Sequence, residues 1–269
     1  MQKGGKKKHL QPLGGNKYKD INELSYKARQ RIQQYVTYLV DSAQKKRVYC
    51  ATEKKWFSFR VNFVTLTLPS KQCHTDREIH NKCFKEFIRA WKRQEPNLLY
   101  IYKAETQANG NLHYHLTTNA FIHHRTLRNM WNLYVNKLGY VDRYKGSDPN
   151  STDVHAVKNI RNLAAYMGKY LTKNDKTRRA PEMKLWDCST PIKNVRPISM
   201  DAPSGDILNE CRALHQIYGG TKKFDYCTIQ AFTLDALRKD APKLYAMYWD
   251  TLTELRAINA AANVDLMRV

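Results

Sequence analysis

The sequence predicts an α+β fold, with an antiparallel β-sheet and helices packed on one side of it. Side chains alternate between two faces at 63–68, as expected for a strand. Two strand-like segments, 98–106 and 111–119, flank a glycine-containing loop, which predicts a hairpin. Apolar residues recur at helical spacing elsewhere in the chain. Together these patterns favour a compact domain with segregated strands and helices.

The N-terminal region is predicted to contain an arm followed by a helix. Residues 1–19 are rich in Lys, Gly and Asn, which is typical of a flexible basic arm. A helix is predicted to begin near Asp20, where Glu23 supplies a signal similar to a capping box. Apolar residues at helical spacing continue to Ala43. We therefore expect an N-terminal helix within residues 20–50.

The central part of the chain, residues 51–200, is predicted to be the catalytic domain. Residues 56–68 are interpreted as one strand that Pro69 ends, and Thr75 with Glu78 forms a capping box before the next helix. Further elements are expected in this order: a helix at 125–137, a short strand at 154–157 and a helix at 160–173. The extension at 201–269 is predicted to be helical, with helices near 204–218 and 233–260.

The composition points to a polyanionic partner. The formal net charge is +22, from 46 Lys and Arg against 24 Asp and Glu, and the excess is spread along the chain. Such an imbalance is typical of proteins that bind nucleic acid. The six cysteines form no C-x-x-C pair, which indicates reduced intracellular thiols. No apolar segment approaches the length of a membrane span, so we expect a cytoplasmic protein without a membrane partner.

Two histidines in a predicted strand provide the first candidate site. His113 and His115 are separated by one residue, so their side chains share a face and are spaced to bind one metal ion. Glu105 on the neighbouring strand is the candidate third ligand. A two-residue hairpin loop would place Glu105 on the wrong face, whereas a three-residue loop ending at Gly110 would pair it with His113. Mg²⁺ or Mn²⁺ would suit a phosphate substrate, and imidazole ligands favour Mn²⁺ or another transition metal. The adjacent pair His123–His124 is interpreted as surface.

The helix predicted at 160–173 provides the second candidate site. Tyr166 and Tyr170 lie one helical turn apart, beside the apolar stripe of the helix. Lys169 and Lys173 each follow a tyrosine by three residues and continue the same side. A phenol is a poor nucleophile at neutral pH, but a nearby cation and a metal-polarised phosphate would assist its attack. Together the two sites suggest cutting and rejoining of nucleic acid.

Three ordered motifs resemble those of the HUH endonuclease superfamily, specifically rolling-circle replication initiators of single-stranded DNA phages and related plasmids. FVTLTLP at 63–69 resembles the first motif, and HYH at 113–115 resembles the metal motif. YMGKYLTK at 166–173 resembles the two-tyrosine third motif of microvirus gene A-type initiators. The resemblance covers roughly 56–190, including LWDCS at 185–189. Tyr114 departs from the pattern, since the family often has a smaller apolar residue there.

The resemblance implies a metal-dependent nickase built on an RNA-recognition-like antiparallel sheet. Such an enzyme cuts single-stranded DNA at a replication origin, and Tyr166 or Tyr170 would hold the 5′ phosphate while a 3′ hydroxyl primes the polymerase. The second tyrosine would cut the regenerated origin, and strand transfer would close a circle. No G-x-x-x-x-G-K-[ST] motif is present, so unwinding would require a host helicase in the bacterial cytoplasm.

Other functions remain open from the sequence. A transposase or relaxase of the same superfamily is one alternative, although paired tyrosines argue against a single-tyrosine transposase. A non-haem iron oxygenase could also use two histidines and a carboxylate, but it would have no role for the positive charge or the paired tyrosines and lysines. A non-catalytic nucleic-acid-binding module would instead show aromatic side chains where His113, His115 and Glu105 are expected.

Overall fold

The computed structural model describes residues 24–156, 171, 179–196, 198, 204–220, 222–223 and 228–262. The described helices are α1 (Tyr26–Ser42), α2 (Asp76–Ile79), α3 (Lys85–Gln94), α4 (His124–Asn136), α5 (Thr190–Asn194), α6 (Gly205–Tyr218), α7 (Leu234–Asp240), α8 (Pro242–Thr251) and α9 (Thr253–Ala261). A π-helical turn at His80–Phe84 joins α2 to α3. The described strands are β1 (Lys46–Cys50), β2 (Lys55–Phe59), β3 (Asn62–Thr67), β4 (Tyr100–Thr106), β5 (Leu112–Thr118), β6 (Thr152–Ala156), β7 (Trp186–Cys188), β8 (Lys222–Lys223) and β9 (Thr228–Ile229).

The main sheet confirms the predicted α+β class. Within the described residues it has five strands in the order β6-β3-β5-β4-β7, and every neighbouring pair is antiparallel. On one face, Leu66, Tyr114 and Leu116 are buried against a cluster that includes Phe87 of α3 and Trp131 of α4. This cluster is the larger apolar core, and it holds the sheet rigid from one side.

The prediction that helices cover only one side of the sheet is wrong. The second face carries apolar residues at one end, including Phe63 and Ile101, and these pack in a cluster with Val36 of α1 and Leu255 of α9. Burial of that apolar end requires a second helical layer. Further along the same strands, this face becomes polar at Glu105. The second face is therefore covered at one end and polar at the other.

The segment predicted as one strand at 56–68 is two strands that belong to different sheets. Strand β2 pairs with β1, whereas β3 pairs with β5 and β6. Arg60 lies at the break, and its guanidinium donates to the carbonyl oxygens of Val40 and Ala43 at the end of α1. These hydrogen bonds satisfy carbonyls that a helix end leaves without partners.

Two helix boundaries also differ from the predictions. Helix α1 begins at Tyr26, because the Ser25 hydroxyl caps it by accepting from the Ala28 N–H at 3.1 Å, and not near Asp20. The segment predicted as one helix at 233–260 is α7, α8 and α9. Pro242 starts α8, since proline fits the first turn of a helix but not its interior. The helix expected at 125–137 is confirmed as α4, and the one at 204–218 is confirmed as α6.

No helix in the described part of the chain has both the length and the apolar character needed to cross a membrane.

An ion pair ties the chain that follows the tyrosine motif to the central hairpin. Arg179 Nη1 and Nη2 lie 2.6 and 2.8 Å from the two carboxylate oxygens of Asp76, whose side chain is almost fully buried. The same guanidinium donates to the carbonyl oxygen of Gly110 in the β4–β5 turn. Thr106, at the end of β4, donates its hydroxyl to the Arg179 carbonyl oxygen at 2.6 Å. One arginine therefore joins α2 to the turn between β4 and β5.

Asp76→Asn should lower the free energy of unfolding by about 2 kcal/mol, because it removes the charge from a buried acceptor that Arg179 contacts through two hydrogen bonds. Burial raises the pKa of Asp76, but hydrogen bonds from Arg179 and Gln72 outweigh it and lower that pKa. The wild type should keep this stabilisation above the unfolded pKa of about 3.9 and lose it as pH falls through the lower folded value. Urea unfolding at pH 7 and pH 3 measures both effects.

The matched control is Asp148→Asn, which breaks an exposed ion pair with Arg128. Exposed pairs contribute less than about 1 kcal/mol, so this variant should unfold almost like wild type. Equal destabilisation by the two substitutions would contradict a structural role for the Asp76–Arg179 pair.

Candidate metal centre

The register of the β4–β5 hairpin places the three predicted ligands on one face. Glu105 pairs directly with His113 across the two strands, and His115 follows on the same side of β5. The loop has three residues between Gln107 and Asn111, which are joined by a backbone hydrogen bond of 2.9 Å. Gly110 adopts φ 81°, the left-handed conformation that such a loop requires. The predicted three-residue loop and its register are confirmed.

The side chains of these residues converge on one point. His113 Nε2 lies 3.1 Å from His115 Nε2, and His115 Nε2 lies 3.0 Å from Glu105 Oε1. One ligand atom from each of the three residues lies within 4.8 Å of the others. His113 is 7% exposed, so the cluster lies at the sheet surface with one ligand buried. Two imidazoles and a carboxylate are a common protein ligand set for a divalent transition metal.

The spacing of the donor atoms fits six-coordinate geometry. Bonds of about 2.1 Å at right angles place neighbouring donor atoms about 3.0 Å apart. A tetrahedral zinc site with similar bonds would separate them by about 3.3 Å. The observed separations of 3.1 and 3.0 Å match the first arrangement more closely. The residues present therefore fit an ion such as Mn²⁺ or Mg²⁺ with open positions for a substrate.

Lys103 fixes the orientation of the Glu105 carboxylate. It lies two residues earlier on β4, so it shares the face of the triad, and it is 5% exposed. Lys103 Nζ lies 3.1 Å from Glu105 Oε2, which leaves Oε1 directed at the histidines. Burial disfavours the charged carboxylate, but the hydrogen bond from His115 and the charge of Lys103 lower its pKa to about 2. Glu105 is therefore an anion at any physiological pH.

The ring of His115 is held by two side chains of β3. Thr65 Oγ1 lies 3.3 Å from His115 Nδ1, and the Phe63 ring stacks on the imidazole with centroids 5.3 Å apart. With Nε2 facing the other ligands, Nδ1–H donates to the threonine hydroxyl. Such a bond to the far nitrogen selects the tautomer and fixes the ring plane of a metal-binding histidine. The FVTLTLP segment thus supports the centre although it supplies no ligand itself.

A groove of about 620 Å³ lies at the edge strand β7 beside the centre. Trp186 is the register partner of Lys103, so the tryptophan projects from the same face as the triad. Its ring lies 6.2 Å from that of Tyr35 on α1. The basic residues that line the groove are Arg31, Lys184 and Lys193, against one acidic residue, Asp187. Aromatic rings among cations are typical of surfaces that bind single-stranded nucleic acid.

The second predicted site falls outside the described residues. Tyr166, Tyr170, Lys169 and Lys173 all lie there. The nearest described position is Leu171, which is helical and fully buried. It belongs to the same apolar cluster as Phe63 and Ile101, which lie on the face of the sheet that carries the triad.

A second cluster of possible ligands corrects the interpretation of His123–His124 as surface. His123 is 9% exposed and its Nε2 lies 2.9 Å from Glu53 Oε1, whereas His124 is exposed. Glu53, His123 and His124 can place ligand atoms within 4.8 Å of one another. Lys55 Nζ also lies 2.5 Å from Glu53, so this carboxylate already has a cationic partner. The cluster therefore resembles an ion-paired turn more than a cation site.

Sequence reasoning missed Lys103, Thr65 and Trp186. Strand alternation was the signal for the first two, because Lys103 precedes Glu105 by two residues and Thr65 lies on the face of β3 opposite its apolar side. No local signal pointed to Trp186, since β7 has only three residues and lies in a segment interrupted by proline and charge.

Comparison with known protein families gives a match over the central part of the chain. Residues 61–175 match a family model described as a replication-associated protein of the ORF2 type. The matched region contains all three predicted metal ligands and both tyrosines of the third motif. No curated protein and no solved structure matches the chain.

Proposed function

We propose that the protein is a replication initiator that nicks single-stranded DNA at an origin through metal-assisted attack by a tyrosine. The observation that carries this proposal is the convergence of Glu105, His113 and His115 on one face of the sheet. The match of residues 61–175 to the replication-associated family supports a role in replication. The net charge of +22 supports a nucleic-acid partner.

Leu171 supports the proximity of the two predicted sites. Consecutive Cα atoms lie about 3.8 Å apart, so Tyr170 cannot lie far from the buried Leu171. That leucine packs in the cluster of Phe63, and the Phe63 ring stacks on His115. A phenol carried by this part of the chain therefore begins close to the face on which the triad lies.

The chemical step is a transesterification. The phenol oxygen of Tyr166 or Tyr170 forms a bond to phosphorus, and the bond from phosphorus to the 3′ oxygen breaks. The phenol proton is lost to solvent, and the leaving 3′ oxygen becomes a hydroxyl. A divalent ion at the triad would neutralise charge on the non-bridging oxygens. Lys169 and Lys173 would stabilise anionic oxygen beside the tyrosines. The phosphotyrosine then preserves the bond energy for rejoining.

The groove beside β7 gives the strand a place to bind next to the centre. Bases can stack on Trp186 and Tyr35, and the basic residues of the lining can contact phosphates. A strand held there would pass the triad, because Trp186 lies opposite Lys103 and the Lys103 ammonium contacts Glu105. Host helicase and polymerase would act on the products of this step.

End labelling of the DNA tests the proposal. A single strand that carries the origin is labelled at one end or the other and incubated with the protein and Mn²⁺. The label on the 3′ side of the cut should move to the protein on a denaturing gel, since the tyrosine would retain the 5′ phosphate of that fragment. A label that transfers from the 5′ side would contradict the proposed linkage. Cleavage without any adduct would favour a simple hydrolase.

A further inference from the structure

The hairpin formed by β1 and β2 presents an aromatic and cationic surface to solvent. In its register, Arg47 pairs with Ser58 and Tyr49 pairs with Trp56, so these four side chains share one face. The opposite face is apolar and includes Val48 and Phe59, which are each 1% exposed. The inward face accounts for the packing of the hairpin, but it leaves the outward aromatic residues unexplained.

The outward face has an arranged pair of rings. Trp56 is 47% exposed, and its ring lies 5.4 Å from that of Tyr49. The Arg47 guanidinium lies 5.3 Å from the centre of the Trp56 ring. An exposed tryptophan flanked by a cation gives a flat π surface with a phosphate-binding group next to it. We name Arg47, Tyr49 and Trp56 the hairpin platform.

The charge of this segment selects the class of ligand. Residues 45–60 contain six basic residues and one acidic residue. That acidic residue, Glu53, is already paired with Lys55 and His123. An acidic or polyanionic partner is therefore favoured. Exposed rings suit unpaired bases, since duplex bases are stacked on each other and present no free π-face.

We propose that the hairpin platform is an accessory binding site for single-stranded DNA, distinct from the metal centre. Bases would stack on Trp56 and Tyr49, and Arg47 would contact the backbone. The hairpin joins the main sheet at the start of β3, and that end is three residues from His115 along β5, or about 10 Å. The platform would therefore hold DNA outside the reacting segment. The identity of the nucleic acid as DNA rests on the proposed function.

The test measures binding without cleavage. Fluorescence anisotropy of a labelled oligothymidine of about twenty nucleotides, longer than one typical single-strand site, is recorded with the full chain in EDTA. Trp56→Ala should weaken binding about tenfold, in line with the loss of one stacked base. Trp56→Phe should retain most of the affinity. The control Tyr144→Ala removes another exposed aromatic residue, in a loop of balanced charge, and should leave the affinity unchanged.

A second readout distinguishes DNA binding from hairpin stability. Cross-strand aromatic pairs also stabilise hairpins, so Trp56→Ala could loosen this one. In folded Trp56→Phe, the quenching of intrinsic fluorescence by oligothymidine should fall relative to wild type, which a purely structural tryptophan would not show. Unchanged affinity and quenching would overturn the proposal. So would a change only in self-association by light scattering, because the platform would then bind a second copy of the chain.

The test separates this proposal from the function of the metal centre. His115→Ala should bind oligothymidine as wild type does in EDTA, because the platform does not include the triad. Loss of the Trp56 effect with adduct formation intact would remove the platform alone. A Trp56 effect in a protein that never forms an adduct would remove the nickase and leave a nucleic-acid-binding surface.

Discussion

His115→Ala is expected to reduce cleavage of single-stranded origin DNA by at least about a thousandfold. The substitution removes the donor that lies within about 3 Å of both other ligands, so the ion would lose its central contact. Stabilisation of charge by a bound metal contributes several kcal/mol, and each 1.4 kcal/mol is about a factor of ten in rate. The measurement is the initial rate of adduct formation in Mn²⁺. Affinity for DNA should change little.

Two controls make this result specific. His124→Ala removes an exposed histidine of the other cluster and should cleave like wild type. Glu105→Gln preserves the shape of the carboxylate but not its charge, and should resemble His115→Ala in rate. If His124→Ala were the inactive variant, the ion would bind at the cluster of Glu53 and His123, and the proposed centre would be wrong.

The double variant Tyr166→Phe with Tyr170→Phe is expected to form no covalent adduct at all. Phenylalanine keeps the ring but removes the nucleophilic oxygen, so DNA binding and metal binding should remain. Each single variant should still make one cut, because the other phenol remains. Strand transfer should be lost in at least one of them, since rejoining a regenerated origin uses both tyrosines in alternation. Denaturing gels of single-turnover reactions measure these products.

Tyr26→Phe is the matched control, because Tyr26 is 70% exposed on α1 and its hydroxyl belongs to neither predicted site. It should form the adduct at the wild-type rate. Adduct formation by the double variant would assign the nucleophile to another side chain. Peptide mapping of that adduct would then identify the residue.

The central hairpin was predictable from sequence because its constraints are local. A glycine in a left-handed position and a three-residue loop set the register, and the register determines which side chains face Glu105. Helix α4 was predictable for a similar reason, since its apolar stripe and length are both contained in one segment. Local patterns therefore placed the three ligands together.

The remaining features depend on distant partners. The break between β2 and β3 follows from Arg60, whose contacts with Val40 and Ala43 become visible only when α1 is in place. Helices cover the second face because the apolar end at Phe63 needs a layer that comes from both terminal regions of the chain. Strand β7 is too short to give a periodic pattern and exists because it pairs with β4. The sequence pattern cannot encode such contacts within one window.

The most direct test of the central claim is the metal dependence of the covalent adduct. The full chain is treated with EDTA, desalted and mixed with single-stranded origin DNA, and Mn²⁺ is then titrated into the reaction. We predict no adduct without the ion and a saturable appearance of protein-linked DNA in wild type, with none in His113→Ala at any concentration tested. Adduct formation that proceeds equally in EDTA, or that survives in His113→Ala, would contradict a tyrosine attack assisted by an ion at Glu105, His113 and His115.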